Sequence, residues 1–107
     1  MDNSEPRVDV EDLDFEQGWA MYEGLLFTGV AFETCPNGTL CWEMPYRDGY
    51  AHGTEREWFP SGRLKLQREI VAGVVHGMVC EWAEDGRLVI KAVYEHGRLL
   101  ERKCGDR

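Results

Sequence analysis

The residues of this chain with the chemistry to catalyse a reaction or hold a metal are three histidines, four cysteines and twenty carboxylates. A hydroxyl nucleophile is poorly provided for. The two serines are Ser4, near the N-terminus, and Ser61, in a Pro-Ser-Gly string that reads as a turn, so no Ser-His-Asp arrangement is expected. A thiol nucleophile would pair Cys80 with His76 or His52. Cys80, however, falls on the face assigned below to the core, a place that Phe32 takes in an earlier unit, and reads as a packing residue. His52 and His76 stand at equivalent positions two strands apart, about 9–10 Å from each other. Ligands of one zinc each lie ~2 Å from it, so these two do not share a metal, and the same argument separates Cys80 from Cys104. His96, before a turn glycine, reads as structural. Glu33, Glu57 and Glu81 form a column with the same wide spacing, better suited to a solvated or cross-strand-paired ladder than to calcium. No G-K-[ST] or G-x-G-x-x-G phosphate loop occurs. No catalytic residue, metal ligand or cofactor is therefore expected.

The elements that would position these groups follow from a repeat of 24 residues. Shifting the chain by 24 superposes Gly29, Gly53 and Gly77, then Gly38, Gly62 and Gly86, then Leu40, Leu64 and Leu88. Glu33, Glu57 and Glu81 also coincide, as do Gly49, Gly73 and Gly97, with His52 on His76 and Trp58 on Trp82. Self-similarity at one period marks a repeat architecture. Each unit reads as a β-hairpin: in the second, TEREWF (54–59) is one strand, Pro60-Ser61-Gly62 the turn and RLKLQREI (63–70) the return. Pro36 and Pro60 preset φ, Asn37, Ser61 and Asp85 suit the next position, and Gly38, Gly62 and Gly86 supply the left-handed residue. Together these predict a three-residue loop with a G1 bulge. RDGYAHG (47–53) and AGVVHG (72–77) link successive hairpins.

Alternation along the strands predicts two faces. An apolar face takes Val30, Phe32 and Thr34, then Thr54, Arg56 and Trp58, then Met78, Cys80 and Trp82. The return strands add Leu40, Trp42, Met44 and Tyr46, then Leu64, Leu66 and Ile70, then Leu88, Ile90, Ala92 and Tyr94. Arg56 and Arg68 break the pattern and are expected to snorkel at its margin. The opposite face takes Glu33, Glu55, Glu57, Lys65, Gln67, Glu69, Glu81, Lys91 and Glu95, with Glu57 paired to Lys65 across the hairpin. The predicted fold class is all-β: an antiparallel meander of about seven strands, built from the hairpin repeats and curled as a single sheet. Such a sheet needs a cover over its apolar face. The N-terminal segment, with Val8, Val10, Leu13, Phe15 and Trp19, is one candidate, and a homodimer contact is the other.

The units FTGVAF…PNGTL (27–40), YRDGYAHGTEREWFPSGRL (46–64) and VHGMVCEWAEDGRL (75–88) resemble the bacterial variant of the MORN (membrane occupation and recognition nexus) repeat. The resemblance covers residues 22–100. It divides the chain into an acidic N-terminal arm (1–21) and a repeat domain (22–107) with units 22–45, 46–69, 70–93 and a partial unit 94–107. Leu25 replaces the first glycine of the pattern, Thr34 an aromatic, and Glu101 the glycine that would open a fourth hairpin. Bacterial proteins of this repeat type are often assigned as antitoxins or immunity proteins, and eukaryotic relatives are associated with membrane lipids or act as scaffolds. The resemblance thus implies a protein-binding repeat protein with no activity of its own.

The charge agrees with a protein partner. The net charge of −8 opposes nucleic acid and anionic membrane, both of them negative. It is concentrated in residues 1–20, where seven acids, Asp2 among them, face Arg7 alone, a net −6; the other 87 residues carry 13 acids and 11 bases, a net −2. An N-terminus of this sign is the opposite of a secretory n-region. With no C-x-x-C pair, Cys35, Cys41, Cys80 and Cys104 are expected as reduced thiols in a cytoplasmic protein. The expected function is that of an immunity protein or antitoxin that blocks a toxin with a basic surface by direct contact. The residues expected to make that contact are Asp9, Glu11, Asp12 and Asp14 of the arm, followed by Glu55, Glu57 and Glu69. A self-associating scaffold is the alternative.

Overall fold

Two kinds of turn set the strand pattern. The computed structural model describes residues 5–104; Asp2, Ser4 and the end of the partial unit (105–107) lie outside the described residues. At Asp48-Gly49, Ala72-Gly73 and His96-Gly97 both residues hold positive φ, 49–51° for the first and 83–89° for the glycine. This is the two-residue type I′ turn, whose twist matches that of a hairpin. At the other ends, the Gly38, Gly62 and Gly86 N–H groups donate to the carbonyls of Cys35, Phe59 and Ala83 at 2.8–2.9 Å, closing three-residue loops. Beyond these loops the register shifts at Glu33/Thr34, Glu57/Trp58 and Glu81/Trp82, where the return strand carries one extra residue, Cys41, Lys65 and Val89 in turn, a second bulge in each hairpin.

The chain runs β1 (Arg7–Asp9), a 3-10 turn (Val10–Asp12), β2 (Asp14–Glu16), β3 (Trp19–Tyr22), β4 (Leu25–Leu26) and β5 (Gly29–Thr34). It continues through β6 (Leu40–Arg47), β7 (Tyr50–Ala51), β8 (Gly53–Trp58), β9 (Leu64–Val71), β10 (Val74–Trp82), β11 (Leu88–Glu95) and β12 (Arg98–Cys104). The fold is all-β. The main sheet has the order β1-β5-β6-β8-β9-β10-β11-β12, with β7 beside β6, while β2-β3-β4 form a second sheet. The single antiparallel meander predicted from the repeats is therefore corrected. The main sheet is mixed, because β1 runs parallel to β5 with Val8 opposite Ala31, and it stays open. The difference arises in the N-terminal segment, which has no hairpin period and joins the first strand from outside the repeats. Gly29 admits it: a Cβ there would run into the Pro6 carbonyl oxygen and the Phe27 ring.

The bulges also correct the predicted faces. Alternation holds only along an unbroken ladder, and at each bulge two consecutive residues point the same way. The extra residue sits on the return strand: Trp58 pairs with Leu64 but Glu57 with Leu66, skipping Lys65, so Leu66 comes to the face of Glu57 while Trp58 keeps the other face. Counting back from the bulge, Ala31, Glu33, Glu55, Glu57, Val79 and Glu81 join the face of Trp42, Met44, Ile70 and Ala92. Val30, Phe32, Thr54, Arg56, Met78 and Cys80 turn to the other face. Burial agrees: Val79 is 8% exposed and its neighbour Met78 46%. Arg56 does not snorkel at a core margin; from the outer face it reaches Gln67 and Glu43.

The N-terminal segment covers the first unit. Val8, Leu13, Ala20, Phe27 and Ala31 form the buried cluster, with Val10, Tyr22, Trp42 and Tyr46 packed against it. The aromatic rings continue the contact, Phe15 and Phe27 each against Tyr46 and Trp19 against Tyr50. No helix among the described residues is long and apolar enough to cross a membrane.

Successive units are joined by one repeated device. The Asp48 N–H donates to Thr28 Oγ1, the Ala72 N–H to His52 Nδ1 and the His96 N–H to His76 Nδ1, at 2.8, 3.1 and 3.2 Å. One step on, Gly49, Gly73 and Gly97 donate to the carbonyls of Phe27, Ala51 and Val75. The two histidines are thus acceptors that hold the next turn, each with its Nδ1 free of a proton. His52→Thr restores the acceptor that Thr28 provides. It is expected to destabilise less than His52→Val by about 1 kcal/mol, read from denaturant unfolding.

A disulfide joins Cys35 to Cys41 across the base of the first three-residue loop, with Cα atoms 5.3 Å apart, while Cys80 and Cys104 are free. This corrects the expectation of four reduced thiols: the bulged hairpin brings the two strand ends within bridging reach. The oxidised protein should be lighter by the two thiol hydrogens in intact-mass measurement. Reduction should lower stability by about 2 kcal/mol, from loop-closure entropy for so short a ring.

Candidate functional site

Because of the bulges, one row of side chains crosses the inner face: Glu33, Trp42, Glu57, Leu66, Glu81 and Ile90, each directly opposite the next. Carboxylates on β5, β8 and β10 are thus interleaved with a tryptophan and aliphatic side chains. Toward β5 the row opens into a groove of about 490 Å³, lined by Val10, Glu33, Cys41, Trp42, Glu57, Trp58, Phe59, Pro60 and Lys65. The disulfide and the three-residue loops close one end of it.

The floor of the groove is fixed from below. Glu55, 5% exposed, is the buried charged residue among those described. Its carboxylate accepts from Trp42 Nε1 at 2.7 Å and from Arg68 Nε, which forms its ion pair. A buried carboxylate needs such partners to offset its lost hydration. Here they also tie down the indole that lines the groove. Beside this network the half-buried Tyr46 hydroxyl ionises above its ordinary value of 10.0, through burial first and the Glu55 charge second.

The groove already holds a cation of its own. Lys65 Nζ lies 3.9 Å from Glu57 Oε1 and 5.6 Å from the centroid of the Phe59 ring. Glu57 thus meets Lys65, as predicted, but its direct cross-strand partner is Leu66. Glu33 is exposed, and among the described residues neither it nor Glu81 forms an ion pair.

The residues expected to meet a partner are dispersed. Asp9 caps the 3-10 turn, its Oδ1 accepting from the Glu11 N–H at 2.9 Å. Glu11 and Asp12 are exposed on that turn beside Val10, which lines the groove. Asp14 is exposed on β2. Glu57 lies in the groove, Glu55 is buried beneath it, and Glu69 is on the outer face, where it accepts from Thr54 Oγ1. Glu33, Trp42 and Trp58 were not among the expected contacts. Their signal was present in the 24-residue period, but unbroken alternation had put the acids and the tryptophans on opposite faces. No group of three or more His, Cys, Asp or Glu among the described residues is placed to hold a metal ion.

Comparisons with family models, curated proteins and solved structures find no match to this chain.

Tyr46 gives a check on the floor of the groove. Its folded value exceeds its unfolded one, so the neutral phenol's contribution to stability is complete below pH 10 and lost as pH rises through the folded value. A phenolate absorbance titration should show one ionisation above pH 10 that is absent in Tyr46→Phe. Glu55→Gln should lower it only partway, since burial remains.

Proposed function

We propose that the protein is a non-catalytic, protein-binding repeat protein of the MORN type, an immunity protein or antitoxin that blocks a toxin with a basic surface by direct contact. The observation that carries this reading is the open groove of the inner face, where Glu33 and Glu57 flank Trp42 and the acidic 3-10 turn lies alongside. A partner with basic groups finds there a charge complement on a stiff sheet, and such complementarity raises association rate and selectivity. The proposal includes residence in the cytoplasm, where the Cys35–Cys41 bridge would be exposed to reducing conditions.

Self-association is the second reading, and β12 favours it. Among the described residues this strand pairs only with β11, and its Leu99 and Leu100 are 46% and 50% exposed. An uncovered edge of this kind can receive another strand.

Co-expression with the product of the adjacent gene tests the first reading. The expected result is a complex that survives purification, together with relief of that product's toxicity. A neighbour that neither binds nor harms the host when expressed alone overturns it. Light scattering tests the second: a concentration-dependent dimer abolished by Leu100→Lys supports edge pairing, and a monomer throughout refutes it.

A further inference from the structure

We infer that the groove accepts an arginine side chain of the partner, its guanidinium laid on the Trp42 indole between the carboxylates of Glu33 and Glu57. This deepens the partner-binding reading and rests on it.

Four observations support the assignment. First, Glu33, Trp42 and Glu57 are consecutive in one cross-strand row. The two carboxylates therefore stand on strands about 9–10 Å apart with the indole between them. A cation on the ring face is attracted by the aromatic quadrupole and lies within reach of both acids.

Second, the chain already shows this chemistry on itself. Lys65 places its ammonium against Glu57 and the Phe59 ring, at the far side of the same groove. Glu33, on the near side, has no such cation among the described residues. Third, Trp42 is preorganised: Glu55 holds its Nε1 at 2.7 Å and Arg68 holds Glu55. The ring therefore need not be ordered at binding, which removes part of the usual cost.

Fourth, the space fits a side chain with a length of backbone, since about 490 Å³ lies within the range of ligand sites. Arginine suits it better than lysine. Its planar guanidinium stacks on an indole, is more weakly hydrated than an ammonium, and can donate to two carboxylates at once. Glu11 and Asp12, which follow Val10 on the 3-10 turn, add negative potential at the rim.

An acetylated, amidated tetra-arginine peptide is the probe, titrated at low salt and followed by tryptophan fluorescence, with tetra-lysine as the charge-matched control. Saturable binding is expected, weaker for tetra-lysine. Glu33→Gln, an exposed site, should weaken it by about fivefold, the loss of one charge-assisted contact. Glu57→Gln should weaken it similarly. Glu69→Gln removes the same charge from the outer face and should leave it unchanged.

Absence of saturable binding, or equal weakening by Glu69→Gln, overturns the inference. The two proposals also fail separately. A toxin complex indifferent to Glu33→Gln and Glu57→Gln together removes the arginine site and leaves the immunity reading standing. Tetra-arginine binding with the expected variant pattern, but with a harmless and non-binding neighbour, does the reverse.

Discussion

A strand that alternates its side chains is reset wherever its ladder slips by one residue, and in this fold the slip is built into every hairpin. Gly38, Gly62 and Gly86, with φ of 89°, 95° and 91°, complete three-residue loops, and two residues beyond each loop's closing pair the return strand carries an extra residue, Cys41, Lys65 or Val89. The bulge sets Leu66 instead of Lys65 opposite Glu57, and so brings the acid to the face of the return strand's apolar residues. Repeated at 24-residue intervals, it lines up Glu33, Glu57 and Glu81 across the inner face. Without it the acids would be solvated on the outer surface and the inner face would be apolar. The groove, its charge and its aromatic floor all depend on that one backbone conformation.

Placing carboxylates on the packed side of a sheet creates an electrostatic cost that falls most heavily on Glu55. Glu33 and Glu57 keep access to water at the groove, but Glu55 lies one row deeper beside Met44 and Ile70. Arg68, on the adjacent strand and directly opposite, supplies the compensating charge, and Trp42 supplies a neutral donor. Arg68 keeps its side chain 38% exposed, so the pair is only partly desolvated and its cost is smaller than for two fully buried ions. The same negative charge acts on Tyr46, which is how a packing network leaves a trace in a titration. A hydrophobic residue in place of Glu55 would relieve the burial but release the indole.

Much of the fold was legible in the sequence because its turns have obligate chemistry. Gly38, Gly62 and Gly86 announced the three-residue loops, and the period gave the hairpins. What failed was the step from turn to face. The G1 bulge at the loop glycine was predicted, but the second bulge on the return strand, at Cys41, Lys65 and Val89, was not, so Met78 and Cys80 were assigned to a core that Val79 occupies. The use of the histidines was hidden: nothing local tells that His52 accepts from a residue twenty positions on. The Cys35–Cys41 bridge was also out of view, since reduced thiols followed from composition and compartment and not from hairpin geometry. The N-terminal segment lay outside the repeat, and its parallel pairing depends on a long-range fit at Gly29 that periodicity does not encode.

That segment changes the meaning of the charge at the start of the chain. An acidic arm suggests a mobile tether that could be removed without consequence for the rest. Instead, Val8 and Leu13 are 8% and 7% exposed and belong to the central cluster, and β1 is hydrogen-bonded into the main sheet. The alternation of apolar and acidic residues has two results at once: the apolar ones anchor the segment over the first unit, and Glu11 and Asp12 are left at the surface beside the groove. Anchoring fixes where the acids act, because a charge on a floating tail is averaged over many positions and screened within about 8 Å at physiological salt. Those on the 3-10 turn hold one position relative to Glu33. Truncating the segment would therefore remove both the lid of the core and part of the groove's field. Charge-neutralising substitutions that leave Val8 and Leu13 in place separate the two effects, because they remove the field while the lid remains.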